Sequence, residues 1–286
     1  MPKELPRHIE IFSMNSHDSH DGTRSQIRWK IGVVSFLNAR PLICGLDQEP
    51  TIRLLFDVPS SLTERLLNGV FYAALIPVID LWEQRSRLRI VSNSCIGCDG
   101  ETLTVRVFSQ VPPEDIRRIF VDSDSRTSIA LAKLLWPALF HRQLDFQKLN
   151  ARCELGGCES VLLIGDKVVG VDSTQFRYQI DLGGAWKTLT GLPFVFAVWA
   201  ARRDHDIGVL GAQLATARDL GVKYAGRMAV EFGPAHGWPV SLAQQYLQRY
   251  LTFSLTEKHV EGMVRFFDDA QARGLILRGE ALQANS

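Results

Sequence analysis

From Trp29 onward the chain alternates short apolar runs with segments of helical period, and this alternation limits the fold more than any other feature. The text runs IGVVSF, PLICGL, IRLLF, then the helical SSLTERLLNG, then YAALIPVI. Apolar runs this short, separated by amphipathic segments, predict βαβ units and a mainly parallel sheet. Ser61 and Glu64 have the spacing of a capping box, and Gly69 stands where that helix would stop. In GETLTVRVFS a period of two puts Thr102, Thr104 and Arg106 on one face and Leu103, Val105 and Val107 on the other. A turn at Pro112 and Pro113 opens a second α/β unit with the strand-like IRRIFV, a helix to about Leu139 and the strand-like SVLLIGD. The apolar run from Phe194 to Ala201 reads as a strand buried on both faces. Helices are expected from Ile207 to Leu220, Leu242 to Phe253 and Val260 to Arg273.

A chain of 286 residues, 46% of them hydrophobic, can bury one large core or two modest ones. Its net charge of +1 provides no field to steer nucleic acid, and no basic cluster with interleaved aromatics stands out, so nucleic acid is not an expected partner. No apolar run approaches the ~20 residues of a membrane span, and no membrane association is expected. Residues 1–28 are polar and lack the apolar core of a secretory signal. They are expected to be a disordered extension, and the protein to be cytoplasmic. Five cysteines without an export signal argue against a disulfide framework. Cys95-x-x-Cys98 and Cys153-x4-Cys158 have zinc-like spacing, but Cys95 ends an apolar run, where a cysteine is more often a small buried hydrophobe.

Candidate ligand groups gather where strands end. DSDSRTSIALAKLL, Asp122 to Leu135, follows IRRIFV and opens a helix, so free backbone N–H groups and a positive dipole end would face a sheet's carboxyl edge. Ser125, Thr127 and Ser128 add hydroxyls there, and Arg126 a guanidinium fork suited to a carboxylate or phosphate. The competing reading is plain capping with a solvated Arg126, and spacing does not choose between the two. In SFLNARPL, Ser35 to Leu42, Asn38 can cap a helix or donate to a ligand, with the cap favoured. LLIGD ends another strand with Gly165, open to close approach, and Asp166, an acceptor for hydroxyls or a turn residue. The seven histidines have no metal spacing, and none lies at these strand ends in the sequence. No dinucleotide or phosphate-loop glycine fingerprint occurs. Neither a metal nor a cofactor is therefore expected, and the candidate ligand is a small polar anion.

The blocks GVVSFLNARPL, CDGETLTVRVFSQVP, DSDSRTSIALAKLL, LLIGD, DLGGAWKTLTGLPFVFAVWAARRD and YLTFSLTEKHVEGMVRFFDDAQARGLI fall in one order. In that order the chain resembles chorismate dehydratase of the futalosine route to menaquinone, from Lys30 to Ile276. The resemblance implies an α/β fold of the two-lobed periplasmic-binding-protein-like kind (type II), with a ligand cleft between lobes. It would assign 29–108 and 200–286 to one lobe and 109–199 to the other, with LTVRVF and FVFAVWAA as the crossing strands. It implies a hydro-lyase acting on chorismate without a cofactor, with a homodimer as one assembly. Asn38 and Thr104 would be catalytic, and Ser35, Arg40, Ser125, Arg126, Thr127, Ser128, Gly165 and Asp166 would bind substrate. The substrate's own side-chain carboxylate would take the proton. The family usually has serine where Thr104 stands and proline where Glu101 stands, so Glu101 is expected to point to solvent, away from a dianionic substrate. Tyr72 replaces an acidic residue and has no account at this level. The alternatives are 1,4-dihydroxy-6-naphthoate synthase of the same route, which ordinarily uses a histidine near the site, and a small-carboxylate binding protein that is not an enzyme.

Overall fold

A computed structural model describes residues 27–121, 126–149 and 157–276. The extension expected over 1–28 lies outside these residues except for its last two. The described chain begins with β1 (Trp29–Val34), a 3-10 helix over Leu37–Ile43, β2 (Ile52–Asp57), α1 (Pro59–Leu67), β3 (Ala73–Pro77), α2 (Val78–Glu83) and β4 (Leu88–Cys98). It then crosses to β5 (Val105–Ser109), β6 (Arg118–Val121), α3 (Arg126–Leu139), β7 (Asp145–Lys148), β8 (Ser160–Ile164), β9 (Tyr178–Asp181) and α4 (Leu182–Thr190). The return is β10 (Phe194–Arg202), followed by α5 (Leu210–Lys223), α6 (Ala225–Phe232), α7 (Val240–Gln245), β11 (Thr252–Ser254) and α8 (Glu257–Ala272).

The strands form two mixed sheets, ordered β11-β4-β10-β3-β1-β2 and β7-β6-β8-β5-β9. The expectation of a mainly parallel sheet needs correction. The β1–β2, β1–β3, β6–β7 and β6–β8 pairs are parallel, but β10 runs antiparallel to β3 and β4, and β5 to β8 and β9. The physical reason is the crossing itself. A chain that leaves one sheet at its cleft edge enters the next from the same cleft, so it runs away from the edge at which the parallel strands end. The crossings also differ from the expected boundaries. β5, assigned with the first lobe, pairs with β8 and β9 of the second sheet. β10 pairs with β3 and β4 of the first sheet from Phe194, ahead of residue 200.

Local expectations were met unevenly. α1 starts with Pro59 at its first position, whose fixed φ suits that site, so the Ser61–Glu64 pair lies inside the helix instead of capping it. The helix expected from Leu242 to Phe253 gives way to a π-helical turn at Tyr246–Tyr250 and then to edge strand β11. α5 packs so closely on the 3-10 helix that a Cβ on Gly221 would lie 1.9 Å from the Pro41 carbonyl oxygen. That contact between backbones seats the segment carrying Asn38. Among the described residues no helix is long and apolar enough to cross a membrane.

Candidate functional site

The two sheets face each other across a cleft enclosing about 620 Å³ of atom-free space, its open mouth included. Val34, Phe36, Asn38, Pro77, Ile96 and Phe196 line it from the first sheet, and Thr102, Thr104, Thr127, Ser128, Ile164 and Gly165 from the crossing and the second sheet. None of the described lining residues has an ionisable side chain. The wall is apolar with a few neutral hydrogen-bonding groups. Among the described residues the lining offers dipoles to a charged ligand and no ion-pair partner.

Two residues of the cleft lining each carry a buried polar atom without a protein partner. Asn38, 8% exposed, sits in the 3-10 helix after β1 and donates from Nδ2 to the Tyr246 hydroxyl at 3.1 Å, while its Oδ1 is unpartnered. Thr127, 5% exposed, lies in the first turn of α3, and its Oγ1 is also unpartnered. A buried polar atom without a hydrogen bond costs roughly 1–3 kcal/mol. Two such atoms lining one cleft mark it as a place where a polar ligand recovers that cost.

Thr104 is buried at the start of the second sheet, its hydroxyl 2.7 Å from the Tyr246 hydroxyl. Tyr246, absent from the sequence-level candidates, thus joins both residues expected to be catalytic. Its ring stacks on Trp238, centroids 4.6 Å apart and 16° from parallel. Burial pushes its phenol well above the ordinary range, against the opposing pull of the Thr104 and Asn38 hydrogen bonds. The approach to Thr104 is strained. Leu103 has φ 68°, in the left-handed region that a branched residue rarely adopts, so the strict alternation expected through Thr102–Val107 breaks there. Asp181 holds the strained turn by accepting from the Thr102 and Leu103 amides at 2.9 and 2.8 Å and from the Gly184 amide at 3.1 Å.

The other expected residues divide. Ser128 is buried in the α3 first turn beside Thr127 and lines the cleft. Ser125 lies outside the described residues. Arg126 does not face the cleft lining. Its guanidinium reaches to α2, 2.6 Å from Asp80 and 2.5 Å from Glu83, because buried Asp80 demands a cation more strongly than the half-apolar cleft does. Arg126 is thus a strut between the lobes. Ser35 is exposed at the bend after β1, and Phe36 takes the cleft position instead. Arg40 lies over the rings of Phe56 and Phe232, at 5.3 and 4.6 Å, and is used in packing.

Gly165 lines the cleft with φ 62°, but the space that its missing side chain leaves is taken by the Phe36 ring, 3.0 Å from where a Cβ would stand. Asp166 is not a free acceptor for ligand hydroxyls. It accepts from the Leu37 amide at 3.2 Å and Trp238 Nε1 at 2.8 Å, and lies 2.7 Å from His236 Nδ1. The sequence placed no histidine at these strand ends; folding brings His236 to one of them, although it does not line the cleft. Asp166 therefore latches the second sheet to the first.

Glu101 points to solvent as expected, its side chain 60% exposed and 4.0 Å from Arg106 Nη2. Tyr72 packs edge-on to Trp29 at 5.1 Å and near His205 at 5.6 Å, which gives it a structural role away from the cleft. Cys95, Cys98 and Cys158 are buried, and burial pushes the Cys95 thiol up to about 12. Cys153 of the zinc-like pattern lies outside the described residues. Among the described residues no group of three or more His, Cys, Asp or Glu is placed to hold a metal.

Residues 29–272 match the model of a family described as menaquinone biosynthesis. A chorismate dehydratase of Thermus thermophilus is 28% identical over 197 residues, which are 61% of this chain and 70% of that protein. Among solved structures, the protein AF1704 of Archaeoglobus fulgidus has TM-score 0.68 at 15% identity, covering 87% of this chain and 98% of its own. The alkanesulfonate-binding protein of Xanthomonas axonopodis, bound to MOPS, has TM-score 0.66 at 13% identity, covering 90% and 96%. A Candida albicans protein described as having the generic periplasmic binding protein fold has TM-score 0.62 at 11% identity, covering 88% and 92%. The fold is thus periplasmic-binding-protein-like, as the resemblance implied.

Proposed function

The chain belongs to the menaquinone-biosynthesis family, and on that footing we propose that it is a chorismate dehydratase, a hydro-lyase of the cytoplasm that converts chorismate to 3-[(1-carboxyvinyl)oxy]benzoate and water. The observation that carries the reading is the pair of buried, unpartnered polar atoms, Asn38 Oδ1 and Thr127 Oγ1, on residues of a cleft without ionisable lining among the described residues. The similarity to the Thermus thermophilus chorismate dehydratase supports it.

Chorismate carries two carboxylates. In this reading the first turn of α3 holds one of them through the Thr127 and Ser128 hydroxyls, with the helix dipole supplying the favourable potential. The ring proton at C3 is acidified by conjugation with the ring carboxylate. The enolpyruvyl carboxylate takes that proton, the C3–H electron pair becomes a ring double bond, and the C4 oxygen leaves with its bonding pair. The leaving hydroxide acquires the proton, so the products are the aromatic ether and water. Aromatisation supplies the driving force, and a neutral cleft has only to position the groups and stabilise the charge growing on the departing oxygen. In this reading Asn38 and Thr104, both buried on the cleft lining, do that work.

The test is incubation of purified protein with chorismate, followed by the ultraviolet signature of ring aromatisation and by product mass. A product lighter by one water and retaining the enolpyruvyl group is expected. Chorismate bound but recovered unchanged would sink the reading and leave a binding protein.

A further inference from the structure

We propose that Tyr246 is the positioning residue of this elimination, its hydroxyl setting the hydrogen-bond polarity of both Asn38 and Thr104 toward the cleft. The inference rests on the function proposed above and adds to it a third residue and a defined task. A phenol hydroxyl has one proton and can accept hydrogen bonds at its oxygen. Asn38 Nδ2 donates to that oxygen at 3.1 Å, which leaves Oδ1, buried and without a protein partner, as the acceptor of a residue on the cleft lining. The Tyr246 proton is then directed to Thr104 Oγ1 at 2.7 Å, since a phenol is a better donor than an alkyl hydroxyl and an alkyl hydroxyl the better acceptor. Thr104 keeps its own proton free for a ligand. One buried hydroxyl thereby leaves an acceptor at Asn38 and a donor at Thr104, both on the cleft lining.

That pair matches the C4 hydroxyl of chorismate. Its hydrogen is accepted by Asn38 Oδ1, and its oxygen, which gains negative charge as the C–O bond breaks, receives the Thr104 proton in a hydrogen bond. The phenol itself is held still. Its ring is stacked on Trp238, whose Nε1 is tied to Asp166 of the second lobe, and the residue opens the π-helical turn. Burial keeps the phenol protonated, so Tyr246 orients without acting as acid or base.

Tyr246→Phe retains the ring and its stacking while deleting the hydroxyl. With Thr104→Val and the double variant it forms a cycle measured on chorismate turnover, with thermal melting alongside. Tyr246→Phe is expected to lower kcat about thirtyfold with KM changed less than about threefold. In the Thr104→Val background the same substitution should lower kcat less than about tenfold further, because the part of its action that passes through Thr104 is already lost and only the part through Asn38 remains. Wild-type kcat in Tyr246→Phe, or effects that multiply in the double variant, would overturn the inference while leaving the proposed function standing. Wild-type protein that fails to convert chorismate would overturn both. Should Tyr246→Phe not fold, a difluorinated tyrosine at position 246 keeps the shape and lowers the phenol pKa. Activity that declines at alkaline pH in that protein but not in wild type is expected, and identical profiles would overturn the inference.

Discussion

The α3 end of the cleft draws its hydroxyls from neighbours in sequence, whereas the Asn38–Tyr246–Thr104 wall is assembled from distant residues. Thr127 and Ser128 adjoin in the first turn of α3, the helix that follows β6 in the chain. Asn38 and Tyr246 are 208 residues apart, and Thr104 and Tyr246 are 142 apart. Their geometry depends on the seating of the 3-10 helix against α5, on a strained Leu103, and on a π-helical turn. The difference separates binding from chemistry. A carboxylate needs only donors and a dipole end, which one helix start supplies, but a departing hydroxyl needs a donor and an acceptor placed together from separate elements.

Changes to the composite wall should therefore cost most. Asn38→Leu, near in size, removes both the cleft acceptor and the donor to Tyr246, and kcat/KM on chorismate should fall about a hundredfold. A fall of less than about threefold would break the assignment of chemistry to that wall. Next is Gly221→Ala, at a residue that does not line the cleft. Alanine normally stabilises a helix, yet here its Cβ would strike the Pro41 carbonyl, so a loss of about 2–3 kcal/mol in urea unfolding is expected, with reduced turnover. A stability gain would mean that the 3-10 helix yields freely and that the wall is less dependent on long-range packing than argued.

The local wall should respond more simply. Thr127→Val deletes a hydroxyl without a protein partner, so the melting temperature should hold or rise while KM for chorismate rises about tenfold. Unchanged KM would remove Thr127 from carboxylate binding. The smallest effect concerns the strut behind that wall. Burial raises the Asp80 carboxyl above its ordinary 3.8, against the opposing Thr63 hydrogen bond and Arg126 charge. The folded chain then holds more protons than the unfolded chain between 3.8 and the raised value, so this group's contribution to stability falls as pH rises through that window. Asp80→Asn should flatten that part of a melting-temperature series against pH, and an unaltered slope would assign it to another carboxyl.

Much of the architecture was legible because hydrophobic period reports local burial. The strand runs near Trp29, Ile52, Ala73, Arg118, Ser160 and Phe194 and the helix opening at Arg126 all appear close to where period and composition put them. The antiparallel course of β5 and β10 was not, because strand direction is set by which edge a chain enters from. Among site residues, Asn38, Thr104, Thr127, Ser128 and Gly165 line the cleft. Arg126, Arg40 and Asp166 do not line it, for one shared reason: a charged side chain at a strand or helix end goes to the strongest partner within reach, and sequence does not reveal which partners fold into reach. Arg126 found Asp80 and Glu83, Arg40 found two aromatic faces, and Asp166 found Leu37, His236 and Trp238.

The α/β class, the strand ends at which ligand groups collect and the helix start suited to an anion can all be read along the chain, since each follows from local period and the free amides of a helix's first turn. That Tyr246 stands between Asn38 and Thr104 is a product of folding. A hydrogen bond between side chains requires its atoms within about 3 Å, and the chain positions meeting there are joined by packing across the whole molecule, not by any spacing that can be read along it.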